Sequence, residues 1–167
     1  MNFTYDPGTV VVLVGLSGAG KSTFAQRRWP ATWRLNLDSY RAMATDSEAD
    51  QSATPVAAQI QDLLLDARLS RNLTTIVDST GLLAHVRAHL LARARYWQRP
   101  ATAVLFDVPL DLCRRQNTGR TRVVPDHVLA EQHRHLPTAD QLLAEGFHFV
   151  DRVTSASPAY LEPAHAR

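Results

Sequence analysis

The chain has 167 residues, 45% hydrophobic and 20% charged, which fits one globular domain able to bury a core without covalent staples. Its single cysteine, Cys113, excludes an internal disulfide and points to a reducing cytoplasm, and the longest apolar run, Val10 to Leu16, is far too short to cross a membrane. A formal charge of +2 does not by itself mark a nucleic-acid partner, so local arginine clusters carry that question.

The first eight residues have no basic cluster leading into an apolar stretch, so no signal peptide is expected. Val10 to Val14 is continuous and β-branched, as in a strand buried on both faces. Lys21 to Arg28 reads as a helix starting under a glycine loop. Trp33 to Leu37 is a weaker second strand, and residues 39–53 are polar and mostly loop. Thr54 and Pro55 open a helix that runs to about Arg71, with Ile60, Leu63, Leu64 and Ala67 on one face. Thr74 to Asp78 is the third strand. Leu83 to Trp97 is a helix with Val86, Leu90 and Ala94 at four-residue spacing. Ala101 to Phe106 is the fourth strand, followed by a helix from Pro109 to Asn117 and an arginine-bearing loop from Gly119 to Val124. Two short helices, Pro125 to Arg134 and Thr138 to Leu143, precede a fifth strand at Phe147 to Val150. Ser155 to Arg167 reads as a frayed tail. The alternation predicts an α/β fold, a parallel five-stranded sheet with helices on both faces. One domain is expected over 1–167, with a core at about 9–152, a lid at about 117–138 and a tail at about 155–167.

Gly15 through Ser22 fits the pattern G-x-x-x-x-G-K-[ST], with an apolar strand before it and a helix after it. This is a P-loop, the phosphate cradle of ATP-binding folds. Glycines let backbone N–H groups converge on phosphates, and the helix N-terminus adds partial positive charge. Gly15, Ser17, Gly18, Ala19, Gly20, Lys21, Ser22 and Thr23 are therefore the expected nucleotide contacts. Lys21 reaches the β- and γ-phosphates, and the Ser22 hydroxyl ligates Mg²⁺.

No Asn-Lys-x-Asp signature of guanine selectivity follows a later strand. A kinase of this fold needs a base, charge-balancing arginines and a lid that excludes water. Asp38, just past the second strand, is the candidate base, and Arg41 can steady it or hold an acceptor phosphate. The competing role for Asp38 is to cap a turn over residues 39–44. Asp78 ends the third strand where a carboxylate supports Mg²⁺; capping the next helix is its alternative. Arg87 can face the acceptor or form a salt bridge. Arg120 and Arg122 flank Thr121 in the lid loop and can clamp the triphosphate, or the loop is simply solvated. His127, His133 and His135 are irregularly spaced and read as surface residues. Trp29, Trp33 and Trp97 read as packing.

Taken together, these segments resemble the kinase module of bacterial and phage polynucleotide 5′-kinases, a group of small P-loop kinases. The resemblance is carried by 15–24, by Leu37-Asp38-Ser39-Tyr40-Arg41, Asp50-Gln51, Val77-Asp78-Ser79-Thr80 and Arg87, and by Asp107-Val108-Pro109-Leu110 with Cys113 and Asn117, 120–122 and Glu145-Gly146-Phe147. It implies transfer of the ATP γ-phosphate to a 5′-hydroxyl of RNA or DNA. Lys21 and Ser22 then lie at the phosphates and metal, Asp38 is the general base beside Arg41, and Arg120 and Arg122 belong to the lid. The chain departs from the family at Gly81, where an asparagine is usual, and at Gln116, where a basic residue is common. Its lid loop is also one residue short. These differences leave room for a small hydroxylated acceptor (a nucleoside, sugar or antibiotic), and a non-catalytic ATP-dependent switch is a third reading.

Overall fold

A computed structural model describes residues 4–119, 123–157 and 160. Its central strand, β1 (Val10–Val14), is buried along its whole length. Alternation sorts the side chains. Val10, Val12 and Val14 belong to one core cluster, whereas Val11 and Leu13 belong to another. The other strands are β2 (Arg34–Leu35), β3 (Thr75–Val77), β4 (Ala101–Asp107) and β5 (Phe149–Thr154). They pair in the order β2-β3-β1-β4-β5, all parallel, with Val10 opposite Thr75 on one side and Ala101 on the other.

Seven α-helices are found among the described residues: α1 (Lys21–Arg28), α2 (Leu37–Thr45), α3 (Thr54–Leu69), α4 (Ala84–Tyr96), α5 (Leu110–Thr118), α6 (Asp126–Arg134) and α7 (Ala139–Glu145). The first core cluster joins the sheet to α3, α4 and α7 through Leu65, Leu69, Leu90, Leu91 and Leu142. The second joins it to α1 and α5 through Phe24, Ala25 and Cys113. Phe24 stands edge-on to Phe106 at 5.2 Å and to Trp29 at 5.8 Å between ring centroids, a favoured aromatic geometry that fixes α1 on the sheet. Trp29 is buried and Trp97 packs on the core with Nε1 donating to Asp66, while Trp33 is partly exposed. No described helix is long and apolar enough to cross a membrane.

Several expectations change. The buried residues of α3 are Ala57, Gln61, Leu65 and Leu69, not Ile60, Leu63, Leu64 and Ala67, and Leu63 and Leu64 are exposed. The second strand is cut to Arg34–Leu35, because α2 begins at Leu37. Residues 39–53 are not mostly loop, because α2 and a short 3-10 turn at Gln51–Ala53 occupy much of them. The helix escaped notice because one of its buried residues is charged. Tyr40 and Arg41 are both buried, so its inner face does not read as apolar. The fifth strand begins later and runs to Thr154. Gly146, at φ +113°, ends α7. Phe147 is then buried in the core without joining the ladder, whereas Phe149, the first strand residue, is exposed.

Of its two alternatives, Arg87 of α4 takes the salt bridge. It is 3% exposed, with Nε and Nη2 donating to Glu145 at 2.6 and 2.5 Å and Nη1 donating to the Gly81 carbonyl at 2.8 Å. This pair ties α4 to α7. Removing the carboxylate leaves a buried guanidinium without its counter-charge. Glu145→Ala is therefore expected to cost about 3–5 kcal/mol of unfolding free energy, seen as a lower urea midpoint. An unchanged midpoint would show that the pair contributes nothing.

Candidate active site

The loop after β1 and the loop after β3 meet at the carboxyl edge of the sheet, where Gly15 N–H donates to the Thr80 carbonyl at 2.9 Å. Here they open a cleft of about 730 Å³. Ser17, Gly18, Gly20, Lys21, Ser22 and Thr23 form its floor. Gly18 has φ +79°, and a Cβ there would lie 2.5 Å from the Cys113 carbonyl, so only glycine fits between the loop and α5. Gly15 and Ala19 do not line the cleft; Ala19 is fully buried beneath it.

Lys21 is buried, and its Nζ donates to the Gly15 and Leu16 carbonyls at 2.8 and 2.6 Å. Its ammonium thus sits at the mouth of the glycine loop. The Ser22 hydroxyl donates to Asp78 Oδ1 at 3.1 Å. Asp78 is 5% exposed and its Oδ2 accepts from Asn36 Nδ2 at 3.0 Å. Asp78 does not cap the following helix, whose N-cap is Leu83.

Asp38 lies in the first turn of α2 and lines the same cleft. It is not the cap of that helix. Asn36 is, with Oδ1 accepting from Ser39 N–H at 3.0 Å. Asp38 accepts from Arg41 Nη2, and Arg41 Nε donates to the Glu48 carbonyl at 2.9 Å. Arg41 is buried, whereas the Asp38 side chain is 44% exposed and open to the cleft. Lys21, Ser22, Asp38, Arg41 and Asp78 thus share one cleft, and Arg87 stands outside it.

Arg120 and Arg122 lie outside the described residues. The ends of their loop are tied together by buried Asn117, whose side chain donates to the Val124 carbonyl at 2.8 Å and accepts from Val124 N–H at 3.0 Å. His127, His133 and His135 are exposed.

The cleft residues not read from sequence include Asn36, Gln132 and Tyr160. Asn36 was readable as a cap three residues before Ser39. Gln132 of α6 accepts from Ser17 N–H at 2.8 Å, and Tyr160 donates its hydroxyl to Gln116 at 2.9 Å above Gly20. Neither carries a local motif. Burial raises the Tyr160 hydroxyl above its ordinary pKa, with the Gln116 contact pulling it down. Burial likewise raises the Cys113 thiol, the charge of Lys21 opposing it; this thiol packs against Val108 and is no nucleophile.

A sequence profile of the AAA domain family (AAA_33) matches residues 10–139, and the chain belongs to that family. Solved structures share its P-loop NTPase fold. A chain of the Pnkp1/Rnl/Hen1 RNA repair complex is 22% identical with a TM-score of 0.69, covering 89% of this chain and 49% of that one. This chain therefore spans about half the length of that relative. A gluconokinase from Sinorhizobium meliloti is 17% identical with a TM-score of 0.55, covering 93% and 87%. The APS kinase CysC from Mycobacterium tuberculosis is 21% identical with a TM-score of 0.52, covering 93% of each chain.

Proposed function

We propose that this member of the AAA domain family is an ATP-dependent kinase that moves the γ-phosphoryl group to an alcohol, the acceptor being the 5′-hydroxyl end of a polynucleotide. The observation that carries the reading is the convergence of Lys21, Ser22, Asp78 and Asp38 on one open cleft. Backbone amides of the loop and the N-terminus of α1 take the triphosphate. Lys21 exchanges two neutral carbonyls for phosphate oxygens, a stronger partnership because it is charge-assisted.

Ser22 and Asp78 fit a magnesium ion, since they bring two hard oxygen donors within 3.1 Å of each other. When bound, that ion neutralises charge on the phosphate oxygens. Asp38 accepts the proton of the acceptor hydroxyl as its oxygen attacks the γ-phosphorus. The bond to the bridging oxygen breaks, and ADP leaves. Arg41 holds Asp38 in place from its buried position. Arg120 and Arg122 are the lid arginines of this reading, balancing the charge that develops on the transferring group. In this reading the kinase unit runs over about 9–152, with the lid at about 117–138.

An exposed Asp38 in an open cleft suits the end of a long chain. One observation favours a small hydroxylated acceptor instead: Arg87, a cation the polynucleotide reading expects beside the acceptor, is engaged by Glu145. The solved fold relatives include both an RNA repair chain and a gluconokinase. Offering γ-labelled ATP with a 5′-hydroxyl oligonucleotide, and separately with a panel of sugars and nucleosides, separates the two. Label is expected on the oligonucleotide, with transfer weakening as salt rises. Label on a small alcohol alone selects the second reading, and label on nothing at any metal or salt concentration removes both.

A further inference from the structure

The two ends of the Asn36 amide point to different partners, Ser39 and Asp78. Its Oδ1 accepts from Ser39 N–H at 3.0 Å, fixing the first turn of α2, which carries Asp38. Its Nδ2 donates to Asp78 Oδ2 at 3.0 Å, while the other Asp78 oxygen receives Ser22. Only one orientation of the amide serves both contacts. Turned over, it would set N–H₂ against the Ser39 N–H and an oxygen against a carboxylate.

We propose that Asn36 is a positioning residue that locks the spacing between the alcohol-activating carboxylate, Asp38, and the metal-side carboxylate, Asp78. The proposal rests on the kinase reading above. An amide suits the position because it presents an acceptor and a donor from one rigid plane. Aspartate would cap as well but repel Asp78. Serine and threonine would also cap, but end too soon to reach Asp78. Held at Oδ2 by Asn36, Asp78 keeps Oδ1 turned toward Ser22. Released, the carboxylate can rotate, and the arrangement that receives magnesium loosens. Asn36 touches neither nucleotide nor acceptor in this account; it acts through Asp38 and Asp78.

The test separates capping from linkage. Asn36→Ser and Asn36→Thr keep a capping oxygen and cut the link to Asp78, while Asn36→Ala removes both. Three quantities are read for each: thermal midpoint, the magnesium concentration that half-saturates ATP binding by calorimetry, and kcat with KM. Asn36→Ala is expected to lower the midpoint by about 2–4 °C, and the Ser and Thr variants by less. All three are expected to raise the magnesium half-saturation about tenfold, the effect of one charge-assisted hydrogen bond, and to lower kcat at fixed magnesium with KM for the acceptor unchanged. Asn36→Ser or Asn36→Thr with the magnesium half-saturation and kcat of the unmodified chain would overturn the proposal and leave the kinase reading standing. ATP binding by the unmodified chain that ignores magnesium would remove the kinase reading and this proposal with it.

Discussion

Asp38→Asn is expected to lower kcat by about 10²–10⁴-fold while leaving the affinity for ATP unchanged. Asparagine preserves the size of the side chain and can still accept from Arg41, so α2 stays folded. What is lost is a base able to take the acceptor proton. The two halves of the prediction must occur together. A fall in ATP affinity would mean that Asp38 serves the nucleotide, and an unchanged kcat would mean that another group, or none, takes the proton. The second outcome is also the signature of a nucleotide-dependent switch that transfers nothing. Circular dichroism checks that the variant is folded; the thermal midpoint is expected to fall, because buried Arg41 loses its counter-charge, but by less than with alanine, since the amide oxygen still accepts its hydrogen bond.

Lys21→Ala is expected to weaken binding of ATP with magnesium by about 10–100-fold and to lower turnover by about 10²–10³-fold. The ammonium already sits on the Gly15 and Leu16 carbonyls, so it is held at the loop before nucleotide arrives. In this account those carbonyls give way to phosphate oxygens when nucleotide binds. The contribution grows as charge develops on the transferring group, which is why turnover falls further than affinity. Calorimetry and steady-state rates measure the two losses separately. Equal affinity in both proteins would remove the phosphate cradle from the account.

The glycine loop and its flanking strand and helix were legible because their signals are local. Five apolar residues, then Gly15 to Ser22, determine a strand, a turn and a helix within one short stretch. Asp78 was legible for the same reason, since it directly ends a β-branched strand. Helix α2 was harder. Its buried Arg41 is stabilised by Asp38 three residues away and by the Glu48 carbonyl, contacts that a hydrophobic pattern does not register. Arg87 illustrates the larger difficulty. Whether an arginine faces a substrate or an ion pair depends on a carboxylate 58 residues later in the chain. Gln132 and Tyr160 are likewise placed by distant partners, Ser17 and Gln116, across 115 and 44 residues. Gly81 shows the converse. At φ +61°, with a Cβ position 2.5 Å from the Leu13 carbonyl, the position needs glycine for its close approach to β1, which the sequence pattern alone did not reveal.

The most direct measurement is a crystal structure with magnesium and a non-hydrolysable ATP analogue. It should find Lys21 Nζ moved from the Gly15 and Leu16 carbonyls onto the β- and γ-phosphate oxygens, Ser22 at the metal, and the Asp38 carboxylate opposite the bridging oxygen across the γ-phosphorus. Lys21 still bound to its own loop beside an occupied site, or Asp38 turned away from the γ-phosphate, would contradict it.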